Sequence, residues 1–257
     1  MNGRGSGSRP PESVVLDTDG VLLDSAVVHA AAWKSAFDAC LDRLAPDNGT
    51  QPPFDADAEY RRLVDGRSRY DGAEAFLTAR GLHLPSGEPH DAPGHGTVWA
   101  VAAHKERAFL DLLRTQGVTA FADVRPALTA LRTAGVPCAA VSASRHARTL
   151  IRAAGLAGLL AVIVDGADAA GLGLAGKPDP ALFLRAAALL GSRPQESAVI
   201  EDALAGVEAG RRGGFGLVVG IDRTSQRSTT ALLREKGADL VVPDLTTLVR
   251  SVWGERG

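Results

Sequence analysis

Short apolar runs rich in Val and Ala recur at 13–16, 137–141, 161–164, 197–200, 216–219 and 239–242. Runs of that length with little polar alternation predict strands covered on both faces, the habit of a parallel sheet. From about residue 119 onward these runs alternate with helical patterns. Asp123 as N-cap and Gly135 past the last turn bracket one helix, Gly155 stops another over 145–154, and Asp179, Pro180 and Gly191 bracket a third. Parallel strands need such crossovers, so the pattern predicts an α/β fold with a doubly wound parallel sheet.

The stretch 26–118 breaks this rhythm. It lacks Val-rich runs and reads as helices separated by loops, with Val28, Ala32, Ala36, Trp33 and Phe37 on one helical stripe. Residues 84–97, punctuated by Pro and Gly, predict a long exposed loop. Residues 1–12, rich in Gly, Ser, Arg and Pro, predict a disordered tail. The expected organisation is therefore a tail at 1–12, a core at 13–25 and 119–257, and a helical insert at 26–118.

Four of the strand runs end on polar groups: Asp17, Ser142, Asp165 and the pair Glu201-Asp202. Open parallel sheets bind ligands at the carboxyl ends of their strands, so these positions predict one site. Asp17 and Asp19 stand two apart where the chain turns at Gly20, and Glu201-Asp202 is a second acidic pair. Brought together, the two pairs repel unless a cation lies between them, and an all-oxygen donor set points to Mg²⁺.

Composition narrows the partners. The 257 residues are 45% hydrophobic and 23% charged with a formal net charge of −2, which gives no electrostatic case for nucleic acid or an anionic membrane. The apolar stretches fall short of the roughly 20 residues that span a bilayer, no signal peptide is visible, and Cys40 and Cys138 read as buried free thiols. A soluble cytoplasmic protein, monomeric or weakly oligomeric, is expected. Only four of the 28 basic residues are lysines, at 34, 105, 177 and 236. A compact ammonium in a chain that otherwise uses Arg marks Lys105 and Lys177 as candidate point-charge ligands. Gly171, Gly173, Gly176 and Lys177 imitate a dinucleotide fingerprint and a P-loop. Pro178 offers neither the hydroxyl nor the N–H that a P-loop needs, so these glycines read as flexible spacing in a loop that delivers Lys177.

In order along the chain, Asp17-Thr18-Asp19-Gly20-Val21-Leu22, Ser142, Lys177-Pro178-Asp179-Pro180 and Glu201-Asp202 resemble the four motifs of the haloacid dehalogenase superfamily of phosphotransferases. The insert resembles that superfamily's small four-helix cap. Asp24-Ser25, His29, Trp33, the segment Gly66-Arg67-Ser68-Arg69, Lys105 and Ser142-Ala143-Ser144-Arg145 are similar to the beta-phosphoglucomutase-like subgroup. The resemblance implies Asp17 as nucleophile and Asp19 as general acid/base. It implies Ser142, Ala143 and Lys177 at the transferring phosphate, and His29, Arg69, Lys105, Ser144 and Arg145 as further substrate contacts. Mg²⁺ is implied at Asp17, Asp202 and the main-chain carbonyl of Asp19, with Glu201 beside it. Three features depart from the subgroup: Thr18, His146 in place of the usual Asn, and the loop at 84–97. The four remaining candidate histidines, His83, His90, His95 and His104, read as solvated surface residues.

The function expected from this set is phosphoryl transfer on a sugar phosphate through an aspartyl-phosphate, with a hexose phosphate mutase favoured. The alternative is a sugar-phosphate phosphatase whose more open cap admits water. A non-catalytic sugar-phosphate binder is opposed by the presence of Asp17, Asp19, Lys177 and Asp202 together.

Overall fold

The computed structural model describes residues 9–224 and 227–254. Of the predicted tail, residues 1–8 lie outside the described residues. Pro11 and Glu12 are tied to the core, the carbonyl of Pro11 accepting from Trp253 Nε1 at 3.1 Å and Glu12 N donating to the carbonyl of Glu196 at 2.7 Å.

All six predicted strands are present: β1 Ser13–Asp17, β2 Cys138–Val141, β3 Val162–Val164, β4 Ser197–Glu201, β5 Leu217–Ile221 and β6 Leu240–Val242. They form one parallel sheet in the order β3-β2-β1-β4-β5-β6. β5 runs two residues past the predicted end because Gly220, a poor strand former by propensity, is held in register against Val241 and packs beside Leu233.

Successive strand side chains point to opposite faces, so β1 feeds two cores. Val14 and Leu16 join Ala140, Ile200 and Ile221 on one face, under α4 (Val124–Thr133), α5 (Ala147–Ala153) and α10 (Leu245–Trp253). Val15 joins Ala139, Val199 and Val218 on the other, under α7 (Ala181–Leu189), α8 (Leu204–Arg212) and α9 (Arg227–Glu235). The strand order reverses beside β1, between β1 and β4, and such a switch point opens a crevice at the carboxyl ends.

Three helix starts differ from expectation, one by a single residue: Pro180 is the N-cap of α7, and Asp179 one position earlier accepts the N–H of Ala181 at 2.9 Å. Asp123 makes no cap bond to α4; its carboxylate takes Arg223 (2.9 and 3.2 Å) and the N–H of Leu245 (2.8 Å), because a guanidinium and a distant helix start offer more donors than its own helix. A helix absent from the prediction, α6 (Gly166–Leu172), follows β3 and is opened by a capping box of Asp165 and Asp168. Gly171 thus lies in a helix and Gly173 closes it, so of the three only Gly176 sits in the loop before Lys177, and Asp165, also paired with Arg148, is a helix cap rather than a site group.

Between β1 and α4 the described residues contain no strand. α1 (Ala26–Asn48), a π-helical segment at Tyr60–Val64, α2 (Arg69–Ala79) and α3 (Val98–Gln116) make up the helices of the insert. This insert has its own aromatic core, with Phe37 stacked on Phe76 at 3.9 Å and on Trp33 at 4.7 Å. The 84–97 segment is irregular, as expected, but pinned at its base: Val98 N donates to Pro85, Trp99 N to Ser86, and Thr97 Oγ1 to Asp91 Oδ2 at 2.5 Å. No described helix is long and apolar enough to cross a membrane.

Candidate active site

The crevice at the end of β1 opens into a cavity of about 360 Å³ between sheet and insert, lined by Asp17, Asp19, His29, Arg69, Lys105, Ala143, Ser144, Arg145 and Asp202 among others. The insert is folded down on the sheet. A Cβ on Gly66, whose φ is +72°, would lie 2.9 Å from Ala203 Cβ, so only a glycine permits both this turn and this approach.

At the centre Lys177, 1% exposed, places Nζ between Asp17 Oδ1 and Glu201 Oε1, the latter at 2.5 Å. Burial opposes the ammonium charge, but the two carboxylates outweigh it and hold Lys177 protonated well above its ordinary range. Burial pushes Asp17 up strongly; Lys177 pulls it down, while Glu201 and Asp19 push the same way as burial. Glu201 Oε2 accepts the N–H groups of Asp202 and Ala203, both at 2.8 Å. Both Glu201 oxygens are thus engaged, and its visible work is to seat Lys177 and shape the turn after β4.

Carboxylate oxygens of Asp17, Glu201 and Asp202 lie within 4.8 Å of one another. Asp17 shares its oxygens with Lys177 and the N–H of Asp19, and with Asp202 it offers the pair of carboxylates that would hold a cation; a hard all-oxygen set suits Mg²⁺. Gly20, with φ +80°, lets the Asp202 carboxylate lie against the turn after β1: a Cβ there would sit 1.8 Å from Asp202 Oδ2. The side chain of Asp19 does not join this cluster. It faces the insert, accepting from Ser25 Oγ at 2.5 Å and from Ser142 Oγ at 2.9 Å.

Behind Asp19 stand His29 and Lys105. Lys105 Nζ donates to His29 Nδ1 at 2.9 Å, which leaves the hydrogen of the neutral ring on Nε2, facing Asp19 Oδ1 at 3.4 Å. Burial and then the Lys105 charge push His29 below its ordinary value, against the pull of Asp19. Burial would raise Asp19, but His29 and the hydrogen bonds of Ser25 and Ser142 hold it far below the usual carboxylate range. Lys105 is pushed down to about 8 by burial, against the pull of Glu106 and Asp19. If the protonated ammonium is what keeps this chain in order, kcat/KM falls as pH rises through about 8. A pH–rate profile checks this, and a rate flat to pH 9.5 excludes it.

Ser142 Oγ is spent on Asp19 and on the N–H of Ser144 (3.0 Å), while Ala143, Ser144 and Arg145 line the cavity. Arg69 reaches it from the first turn of α2 and pairs with Glu106 at 3.2 Å. His95 and His104 are not fully solvated: both are half-buried with rings 5.2 Å apart, because the pinned loop folds back over α3.

Three residues at or beside the site escaped the sequence. Asp65 lines the cavity at the foot of the Gly66 turn, its carboxyl pushed up to about 7 by burial and by Glu201. Glu106 follows Lys105, where only proximity to a candidate could have flagged it. Arg223 donates to the carbonyls of Gly20 (3.0 Å) and Val21 (2.8 Å), fixing the turn that aims Asp17 and Asp19, and it comes from the turn after β5, two strands away, with no motif around it.

A family model described as haloacid dehalogenase-like hydrolase matches residues 11–214. The beta-phosphoglucomutase of Mycobacterium bovis is 43% identical over 243 residues, 93% of each chain. Hexitol phosphatase A of Escherichia coli is 30% identical over 203 residues, 78% of each. The crystal structure of a beta-phosphoglucomutase from Clostridium difficile superposes with a TM-score of 0.71 over 95% of this chain and 98% of its own, at 21% identity, a likeness of fold. Spacing, topology and relatives converge, and the chain belongs to the haloacid dehalogenase superfamily, as an enzyme of its beta-phosphoglucomutase-like subgroup.

Proposed function

We propose that the enzyme is a hexose phosphate mutase that moves a phosphoryl group between two positions of one sugar through an aspartyl-phosphate on Asp17. The observation that carries this reading is the Lys105–His29–Asp19 chain, in which the insert delivers two basic residues onto a carboxylate already ionised and two positions from the nucleophile. An acid/base so held suits a sugar hydroxyl as the acceptor.

From the phosphorylated enzyme, Asp19 takes the proton of the incoming hydroxyl as its oxygen attacks phosphorus and the bond to Asp17 breaks. The product of this half is a sugar bisphosphate. After the sugar turns about, Asp17 attacks the other phosphate, the ester bond to the sugar breaks, and Asp19 returns its proton to the leaving oxygen. His29 orients Asp19, and Lys105 fixes the tautomer of His29. Lys177 neutralises the nucleophile and the phosphoryl oxygens that crowd it. Asp17, Asp202 and the main-chain carbonyl of Asp19 would hold Mg²⁺, which would supply further positive charge against the transferring group.

The phosphatase reading is favoured by kinship with phosphatases, hexitol phosphatase A and, over shorter stretches, two mycobacterial trehalose-phosphate phosphatases. The test is a panel of hexose 1-phosphates, with and without a hexose 1,6-bisphosphate activator, read for isomerised sugar phosphate and for inorganic phosphate. Isomerisation that depends on the bisphosphate and stops in excess chelator is the expected result. Stoichiometric phosphate release without isomerisation gives the phosphatase reading the lead, and full rate in chelator removes the cation.

A further inference from the structure

The Arg69 end of the cavity already contains an anion. Glu106 stands on α3 and its Oε1 is shared across the cleft: it accepts from His146 Nε2 at 2.6 Å and lies 3.2 Å from Arg69 Nη1. Arg69 belongs to the insert and His146 to the loop after β2, directly behind the cavity-lining Arg145, so one carboxylate oxygen joins the insert to the core. The Glu106 side chain is 22% exposed and lines the cavity that holds Asp17. Burial would raise its carboxyl, but the His146 hydrogen bond and then the Arg69 and Lys105 charges hold it at about 2, so it is ionised at any working pH.

A second phosphate at this end needs the donors that Glu106 now occupies. We propose that Glu106 is a displaceable counter-anion that competes with the second phosphate of the substrate for Arg69 and His146, and so sets how tightly the bisphosphate is held. The inference rests on the mutase reading for its second phosphate. A mutase must let go of the far phosphate for the sugar to turn about, and a fixed cationic clamp would hold the intermediate in one orientation. An anion that returns to Arg69 as the phosphate leaves lowers the cost of that release. It also keeps the insert seated on the sheet between substrates, since the same oxygen ties the insert to the core.

The counter-anion and a plain strut predict opposite signs. Glu106→Gln keeps the shape and still accepts from Arg69 and His146, but removes the charge. On an Asp17→Asn background, which blocks phosphoryl transfer, glucose 1,6-bisphosphate and glucose 6-phosphate are titrated calorimetrically with and without Glu106→Gln. Bisphosphate is expected to bind about tenfold tighter, because like-charge apposition is costly, with monophosphate within about twofold. Glu106→Ala should shift bisphosphate in the same direction, and either variant that folds, by its thermal transition, decides the matter. Unchanged or weakened bisphosphate binding, or equal weakening of both ligands, overturns the proposal and leaves a strut. Because no turnover is involved, an enzyme that releases phosphate and never isomerises removes the mutase reading by a separate experiment.

Discussion

Asp17→Asn is expected to lower kcat by roughly 10⁴-fold or more, the scale of losing a covalent nucleophile, while the protein stays folded. The fold should survive because burial already disfavours the charge at this position: Asp17 is pushed far above the ordinary carboxylate range. A neutral isostere satisfies that preference. It can still accept the N–H of Asp19, which donates to Asp17 Oδ2 at 2.8 Å, and Lys177 keeps Glu201. Trapping with a fluoride mimic of the phosphoryl group reads the loss directly. A variant that is fully active, or one that cannot form the adduct yet turns over normally, overturns the assignment of Asp17.

Lys177→Met is expected to cost activity and stability together. The ammonium is the shared partner of two buried carboxylates, and removing one member of such a set costs about 3–5 kcal/mol because the charges left behind are uncompensated. The hydrophobic stem matters less, since Met fills similar space over Phe183, 4.7 Å from the lost ammonium. Without Lys177 the carboxyl of Asp17 rises further, as burial and Glu201 act unopposed. A carboxyl raised in the folded state contributes stability that is fully present below its unfolded value, near 4, and is lost as pH rises through the raised one. The deficit of the variant in urea should therefore shrink as pH falls toward 4. A deficit that is independent of pH would locate the cost in packing and not in charge.

What the sequence made legible was whatever depends on neighbours along the chain. The strands could be read because Val14, Val199 and their like are covered on both faces and so need no alternation. Asp17, Lys177 and Asp202 could be read because each sits at a strand end or in a fixed short motif, and the structure brings them within reach of one another. The helix at 166–172 was hidden by its glycines, although Asp165 and Asp168 carried the capping signal. Asp123 was assigned to its own helix because nothing local announces Arg223, a hundred residues on. Glu106 is a case of the same kind. Its meaning lies in Arg69 and His146, and only the closure of the insert on the sheet brings those two to one oxygen.

The place of β1 in the sheet has a consequence for biosynthesis. This first strand is central, and its partners arrive late: Ser13 meets Ser197, 184 residues further along. At about 5–20 residues per second, roughly 10–40 s pass between the synthesis of β1 and that of β4. Throughout that interval Val14, Val15 and Leu16 have at most β2 to pair with, and one edge of an apolar strand stays open. The aromatic core of the insert draws only on residues between Ala30 and Ala102, and needs no such wait. The nascent chain thus completes its smaller core while the strand that carries the nucleophile is still unpaired on one side, and this is the stage at which a chaperone has most to protect.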